Sequence, residues 1–176
     1  AIAVELGVDP IDIATIVPNI IGAAGRLEEV AIGQNFTALV DYAHTPDAVS
    51  NVLASIREFT TGKVIAVLGC GGDRDPMKRP LMGQALSSHT DVAVFTSDNP
   101  RTENPDAILQ TMTAGIDVVQ PSRIISDRTE AIAYAVSLAG VGDTVAILGK
   151  GHELGQEING KVLDFDDRVI LAKAIE

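Results

Sequence analysis

The stretch Val64-Ile-Ala-Val-Leu68, followed by Gly69-Cys-Gly-Gly-Asp-Arg-Asp75, is the clearest indication of the fold of this 176-residue chain. Five consecutive apolar residues, most of them β-branched, are typical of a strand that is buried on both faces of a sheet. The glycines and charged residues that follow end the strand and begin a loop. A strand with two buried faces needs helices on both sides of its sheet, which is the arrangement of α/β proteins.

Similar runs recur along the chain, and each ends in a polar loop. They are Ala38–Val40 with Phe36 before it, Val92–Phe95, Arg123–Ser126 and Thr144–Leu148. Apolar residues at helical spacing predict helices over Pro46–Phe59, Pro80–Ser88, Pro105–Ile116, Thr129–Leu138 and Asp166–Ile175. This alternation predicts a Rossmann-like, doubly wound, mostly parallel sheet with helices on both faces. Asn159-Gly160 is a common hairpin turn and predicts one antiparallel element over Glu157–Leu163.

Composition argues against several classes of protein. A formal net charge of −11 leaves no surplus of Lys and Arg to neutralise a nucleic-acid backbone or an anionic membrane, so neither partner is expected. No run approaches the roughly 18 apolar residues of a transmembrane helix. Cys70 is the single cysteine, which rules out an internal disulfide and favours a cytoplasmic location. We expect Cys70 to be a small buried thiol rather than a nucleophile.

The first residues differ from the rest. They form a helix-like stretch that ends at Gly22-Ala-Ala-Gly25-Arg26, a junction typical of a hinge. They lack the features of a signal peptide, and we expect the chain to be part of a longer one. We predict a boundary that assigns residues 1–24 to one domain and residues 25–176 to another. The alternative is that the first helix packs on the same sheet; if it does not, its apolar face of Ile11, Ile13, Ile16 and Val17 is exposed.

The polar loops predict where a ligand binds, because ligands of open parallel sheets lie beyond the carboxyl ends of the strands. The five loops read DYAHTPD, GCGGDRD, SDNPRTENP, SDR and GKGHE, and we expect all of them on one rim. Their charged residues have both signs: Asp73, Arg74, Asp75, Asp98, Arg101, Glu103, Lys150 and Glu153. Arg binds carboxylates through parallel hydrogen bonds, and Asp and Glu bind ammonium groups. Such a rim fits an amino acid, including one with several charged ends.

Other interpretations of these loops stay open. Gly69–Gly72 could cradle a phosphate or merely permit a tight turn, since the stretch is neither G-x-G-x-x-G nor a P-loop. His44 and His152 could be metal ligands or acid–base groups, but without a Cys partner or a metal-binding spacing we expect no metal site. The Asp-Arg pairs at 73–74 and 127–128 could bind a ligand or form structural ion pairs.

Five motifs carry a resemblance to a known family. They are GR-x-E at 25–28, DYAHTPD at 41–47, GCGGDRD-x-x-KRP at 69–80, DNPRTE-x-P at 98–105 and GKGHE-x-x-Q at 149–156. In this order and spacing they resemble the C-terminal domain of the Mur ligases, most closely the branch that adds the third amino acid of the peptidoglycan stem peptide. The resemblance runs from about Gly25 to the end. Residues 1–24 resemble the last helical part of the family's central, ATP-binding domain.

The resemblance implies a reaction and its substrates. The family uses ATP and Mg²⁺ to activate the carboxylate of UDP-N-acetylmuramoyl-L-alanyl-D-glutamate as an acyl phosphate, which the amine of an amino acid, here meso-diaminopimelate, then attacks. The central domain holds most of the ATP and Mg²⁺. This chain has no G-x-x-G-K-[ST] loop and no uridine-nucleotide domain. We therefore expect it to act with its own central and N-terminal domains and to be inactive alone.

The resemblance also assigns roles to residues. Those expected to bind meso-diaminopimelate are Arg74, Asp98, Asn99, Arg101, Gly149 and Glu153. Arg101 is expected to pair with the carboxylate that lysine lacks. Arg26, Asp41 and His44 are expected to contact ATP, with Arg26 at a phosphate and Asp41 at the ribose. No residue of the chain is expected to be catalytic or to bind metal.

Two other functions remain as alternatives. The fold could serve as a stand-alone amino-acid-binding or sensor module. A nucleotide-binding oxidoreductase domain has the same fold class, but the absence of G-x-G-x-x-G disfavours it.

Overall fold

A computed structural model describes residues 2–17 and 22–176. Its main sheet contains β1 (Glu28–Glu29), β2 (Thr37–Asp41), β3 (Val64–Cys70), β4 (Val92–Ser97), β5 (Arg123–Ile124) and β6 (Thr144–Leu148). The strand order is β1-β2-β6-β3-β4-β5, and every neighbouring pair is parallel except β1 and β2. The predicted mostly parallel sheet is confirmed. No prediction covers β1, because two adjacent glutamates carry no apolar pattern.

Helices cover both faces of this sheet, as predicted. α3 (Pro46–Phe59), α4 (Lys78–His89) and α5 (Pro105–Met112) pack on one face, and α6 (Arg128–Ser137) and α7 (Asp167–Ile175) pack on the other. Alternate residues of β3 point to opposite faces: Ala66 and Leu68 join the first core cluster, whereas Ile65 and Val67 join the second. The unbroken apolar run of β3 is explained by this double burial.

Side chains at the helix starts fix where the loops end. Asn104 accepts hydrogen bonds from the Asp106 and Ala107 amides at the start of α5, and Asp127 accepts one from Glu130 at the start of α6. α5 ends at Met112 rather than at the predicted Ile116, because Gly115 adopts a left-handed φ of 78° that a helix does not continue through.

The predicted antiparallel element is a separate hairpin of β7 (Gly155–Ile158) and β8 (Lys161–Asp164). Asn159 and Gly160 both have positive φ, 49° and 73°, as the favoured two-residue hairpin turn requires. An isolated bridge between Arg101 and Ile158 links the hairpin to the loop after β4.

The N-terminal segment contains two short helices, α1 (Ile2–Glu5) and α2 (Pro10–Ile16), and neither buries a residue. Ile11, Ile16 and Val17 are more than half exposed, at 73%, 56% and 54%, as expected if this helix does not pack on the sheet. Ile13 is only half-buried. The continuation of the predicted helical stretch over 18–21 lies outside the described residues. Within the described residues, no helix is long and apolar enough to cross a membrane.

Candidate functional site

A cleft of about 470 Å³ opens at the carboxyl ends of the parallel strands. Four of the five predicted loops line it, together with the start of α4. The lining residues are Tyr42, His44, Thr45, Gly69, Cys70, Gly71, Arg74, Asp75, Lys78, Arg79, Met82, Asp98, Asn99, Arg101, Gly149 and Glu153. All six residues expected to bind the amino acid are therefore brought together, and their binding role stays a prediction.

The fifth loop does not reach the cleft. Arg128 is buried and forms its ion pair with Asp167 of α7, not with its neighbour Asp127, which caps α6. The Asp127-Arg128 pair is thus structural, and both residues serve the packing of α6.

The loops after β3 and β4 are fastened to each other. The Gly72 amide donates to Asn99 O at 2.9 Å, and the Asp73 carboxylate accepts from the amide and the hydroxyl of Thr102, at 3.2 and 2.8 Å. Arg79 donates twice to Glu103, at 3.0 and 2.7 Å. Asp73 and Glu103 make these contacts and do not line the cleft, so they support the loops that do.

Arg74 is left exposed at the cleft by this arrangement. Its side chain has no hydrogen-bond or ion-pair partner in the part of the chain that the structure describes. It is therefore available to an anionic group. Asp73 and Arg74 do not pair with each other: Asp73 binds Thr102, and Arg74 lines the cleft.

A second network joins the loops after β4 and β6. The fully buried ammonium of Lys150 donates to Asn99 Oδ1 and to Glu153 Oε2, both at 3.1 Å. Asn99 Nδ2 also donates to Glu153 Oε2, at 3.0 Å. Burial acts to raise the pKa of Glu153, but the hydrogen bonds from Lys150 and Asn99 outweigh it and hold the pKa below its ordinary value. Glu153 is therefore an ionised carboxylate at neutral pH.

Asp98 is a second carboxyl group in the cleft, with different surroundings. Burial raises the pKa of its carboxyl, and the positive charges of Arg128 and Lys150 offset part of that effect. Its carboxylate has no hydrogen-bond donor among the described residues. Gly149 lets the Asp98 carboxylate lie close to the backbone of the loop after β6, since a Cβ at residue 149 would lie 2.9 Å from Asp98 Oδ2. Asp98 thus presents unused acceptors, which suits an ammonium group.

Arg101 is held in an unusual backbone conformation, with φ at 52°. Its Nη1 donates to Gly72 O at 2.6 Å, and its Nε lies 3.2 Å from Glu157 Oε2. Nη2 has no hydrogen-bond partner among the described residues. A non-glycine residue at positive φ is strained and persists only where its surroundings impose it.

The residues expected to contact ATP lie beside Tyr42. The Arg26 guanidinium is 5.2 Å from the centre of the Tyr42 ring, and the His44 ring centre is 4.6 Å from it. Asp41 is buried, and its two carboxylate oxygens accept from the Leu27 and Ala43 amides, each at 2.8 Å. Of the three predicted residues, His44 lines the cleft, whereas Arg26 and Asp41 do not.

Sequence reasoning missed several residues of the site. Tyr42 belongs to DYAHTPD and Gln156 to GKGHE-x-x-Q, so their motifs could have indicated them. Arg79 belongs to the KRP of GCGGDRD-x-x-KRP, so its motif could have indicated it as well. Glu157 had no such signal, because its partner Arg101 is distant in sequence and only the fold brings the two together.

Cys70 is a buried free thiol at the end of β3. Burial, helped by Asp98, raises the pKa of the Cys70 thiol to about 12, so it is protonated at neutral pH, and the prediction of a small buried thiol is confirmed. Over residues 2–17 and 22–176, no three His, Cys, Asp or Glu side chains form a group that could hold a metal ion.

Comparison with known proteins gives three kinds of match. The family described as "Mur ligase, glutamate ligase domain" matches residues 25–151. This chain is 52% identical to each of two proteins named UDP-N-acetylmuramoyl-L-alanyl-D-glutamate–2,6-diaminopimelate ligase. One is from Geobacillus thermodenitrificans and matches 93% of this chain, and the other is from Streptomyces coelicolor and matches 97% of it. A solved structure of a ligase with that name has a TM-score of 0.83 at 45% identity and covers 98% of this chain. This chain spans about a third of these proteins: 34% and 35% of the two sequences and 36% of the structure.

Proposed function

The chain belongs to the Mur ligase family, and from that premise we propose that it supplies the amino-acid site of an ATP-dependent peptide-forming ligase. The reaction joins an amine of meso-diaminopimelate to the glutamate carboxylate of UDP-N-acetylmuramoyl-L-alanyl-D-glutamate, as the names of its relatives suggest. The observation that carries this proposal is that Arg74, Arg101, Asp98 and Glu153 line one cleft.

The charges of the cleft favour a ligand with a carboxylate and an ammonium at the bound end. Nη2 of Arg101 and the whole of Arg74 are available for carboxylates, and Asp98 and Glu153 for an ammonium. Diaminopimelate has a second carboxylate beside its second amine, whereas lysine has only the amine. With lysine bound, Nη2 of Arg101 would have no carboxylate to bind, and a charged donor left without a partner in a closed site is costly.

The residues of this chain act by binding and orientation. Held by Arg101, Asp98 and Glu153 at one end, diaminopimelate keeps its other amine free to attack the activated glutamate carboxylate. Such positioning lowers the entropic part of the barrier. ATP, when bound, supplies the phosphoryl group that activates the carboxylate.

The surroundings of Tyr42 fit part of a nucleotide. Arg26 suits a phosphate, and Tyr42 and His44 offer ring faces and a polar edge. Asp41 already accepts two backbone hydrogen bonds, so a contact with the ribose would use its remaining lone pairs. The assignment of Arg26, Asp41 and His44 to ATP therefore remains a proposal.

Among the described residues, no three His, Cys, Asp or Glu side chains form a group that could hold Mg²⁺. We propose that other parts of a longer protein hold Mg²⁺ and most of the ATP. We also retain the boundary near residue 24, since α1 and α2 bury no residue. A cytoplasmic location fits the single free thiol.

A chimera tests the proposal. Residues 25–176 replace the matching part of the Geobacillus thermodenitrificans ligase, and ligation is measured with meso-diaminopimelate and with lysine. We expect use of diaminopimelate, and a fall of about 30-fold or more in its kcat/KM in Arg101→Ala with little change for lysine. Arg123→Ala, remote from the cleft, is the control. Equal losses for both amino acids would contradict the role of Arg101.

The 176-residue chain is tested in parallel. We expect no ligation from ATP, UDP-N-acetylmuramoyl-dipeptide and diaminopimelate, because the chain has no P-loop. Calorimetry with diaminopimelate addresses the sensor alternative: tight binding by the chain alone would favour a stand-alone module.

A further inference from the structure

The β7–β8 hairpin follows the residues that the family domain matches, 25–151, yet it supports the loop that carries Arg101. Four hydrogen bonds join them: Gln156 Nε2 to Asp98 O at 2.7 Å, the Glu157 amide to Asn99 Oδ1 at 2.9 Å, the Arg101 amide to Glu157 O at 2.9 Å, and the Asn159 amide to Arg101 O at 2.7 Å. The hairpin is therefore the surface against which this loop takes its shape.

Glu157 adds a side-chain contact to this backbone frame. Its Oε2 lies 3.2 Å from Arg101 Nε, with side-chain exposures of 40% for Glu157 and 22% for Arg101. On another edge of the guanidinium, Nη1 donates to Gly72 O. Arg101 is thus held from two sides, which fixes the direction of the unoccupied Nη2.

We infer that Glu157 is a positioning residue for Arg101, and that the hairpin thereby sets the discrimination between amino acids with and without a second carboxylate. This inference rests on the proposed function. A free arginine side chain loses rotamer entropy when it binds an anion, and a guanidinium already held by Glu157 and Gly72 loses less.

Glu157 also has an opposing effect, because its negative charge competes with a substrate carboxylate. The pair is partly exposed, so solvent screens this competition. We therefore expect the orientation of Arg101 by Glu157 to affect diaminopimelate binding more than this competition does. The two effects separate in two variants: Glu157→Gln removes the charge but keeps an acceptor near Nε, whereas Glu157→Ala removes both.

The first measurement needs no ligand. Nuclear magnetic relaxation of the Arg101 Nε–H group in the 176-residue chain reports whether the guanidinium is ordered. We expect order in the wild type and in Glu157→Gln, and mobility in Glu157→Ala. Lys161→Ala, on β8 of the same hairpin, is the control and should keep Arg101 ordered.

The second measurement uses the chimera described above. In Glu157→Ala we expect KM for diaminopimelate to rise about tenfold at unchanged kcat, with Glu157→Gln within about threefold of the wild type. The kinetics with lysine should not change, so the preference for diaminopimelate falls in Glu157→Ala alone. A variant that merely unfolds the hairpin would instead lower activity with both amino acids.

The outcomes separate the inference from the proposed function. An Arg101 side chain as ordered in Glu157→Ala as in the wild type would overturn the inference, as would a lower KM for diaminopimelate in that variant. If the wild-type chimera does not use diaminopimelate while Arg101 becomes mobile in Glu157→Ala, the proposed function fails and the positioning of Arg101 by Glu157 stands.

Discussion

Arg128 donates to both carboxylate oxygens of Asp167, through Nε at 2.8 Å and Nη2 at 2.7 Å, and neither side chain is exposed. The same guanidinium donates to Ser97 O at 3.2 Å and to Leu148 O at 3.0 Å, at the last residues of β4 and β6. One cation therefore ties α6 and α7 to the two strands whose loops form much of the cleft.

Arg128→Met tests how much the contacts of this guanidinium stabilise the fold. The variant keeps much of the side-chain volume but leaves the Asp167 carboxylate buried without a partner, so we expect the free energy of unfolding to fall by about 3–5 kcal/mol. Urea unfolding of the 176-residue chain measures it. Arg57→Ala is the control, because the Arg57–Asp91 pair is 42% and 46% exposed and should cost about 1 kcal/mol or less. Equal losses in the two variants would show that burial does not set the strength of the pair.

The sequence predicts an element of the fold well where neighbouring residues alone determine that element. The runs at Val64–Leu68 and Thr144–Leu148 predict buried strands because their apolar character repeats over the whole element. β6 has the predicted bounds, and β3 continues to Cys70. Asn159-Gly160 predicts the hairpin from two residues, since few other pairs adopt two consecutive positive φ angles at low cost.

The contacts of the site are less predictable, because they join residues far apart in sequence. The motifs predict that Asp98, Arg101 and Glu153 lie on one rim. No neighbouring residue indicates that Arg128 pairs with Asp167, 39 residues away. A charged residue in a loop can face a ligand or turn inward. Only the packing of neighbouring elements decides between the two.

Gly72→Ala tests how closely the loops after β3 and β4 pack. A Cβ at Gly72 would lie 1.9 Å from Pro100 O, a backbone atom that can move only with the whole loop. We expect a loss of about 1–3 kcal/mol in unfolding free energy and, in the chimera, a higher KM for diaminopimelate. Gly140→Ala is the control, because a Cβ there meets only Asp143 Oδ2, at an ordinary contact distance of 3.7 Å. If Gly72→Ala matches this control in both measurements, the two loops are not rigidly joined.

Asp98→Asn tests whether the cleft maintains a costly carboxylate for binding. Burial raises the pKa of Asp98 in the folded chain above its ordinary 3.8, so ionisation of Asp98 destabilises the folded state. Below the unfolded pKa both states are protonated, and Asp98→Asn should match the wild type in stability. As the pH rises from the unfolded pKa to the folded pKa, the wild type loses stability that the variant keeps, and the difference is constant above that range. We therefore expect Asp98→Asn to be the more stable chain at neutral pH, yet to have a higher KM for diaminopimelate in the chimera.

Asp91→Asn is the matched control for Asp98→Asn, with the opposite sign. Burial acts to raise the pKa of Asp91, but hydrogen bonds from Arg57 and Val64 outweigh it and lower the pKa below 3.8. The carboxylate of Asp91 therefore stabilises the fold above its unfolded pKa, and that contribution is lost as the pH falls through the folded pKa. Urea unfolding over a pH series should show Asp91→Asn less stable than the wild type at neutral pH and Asp98→Asn more stable. A loss of stability at neutral pH in Asp98→Asn as well would mean that Arg128 and Lys150 compensate fully for the burial of Asp98.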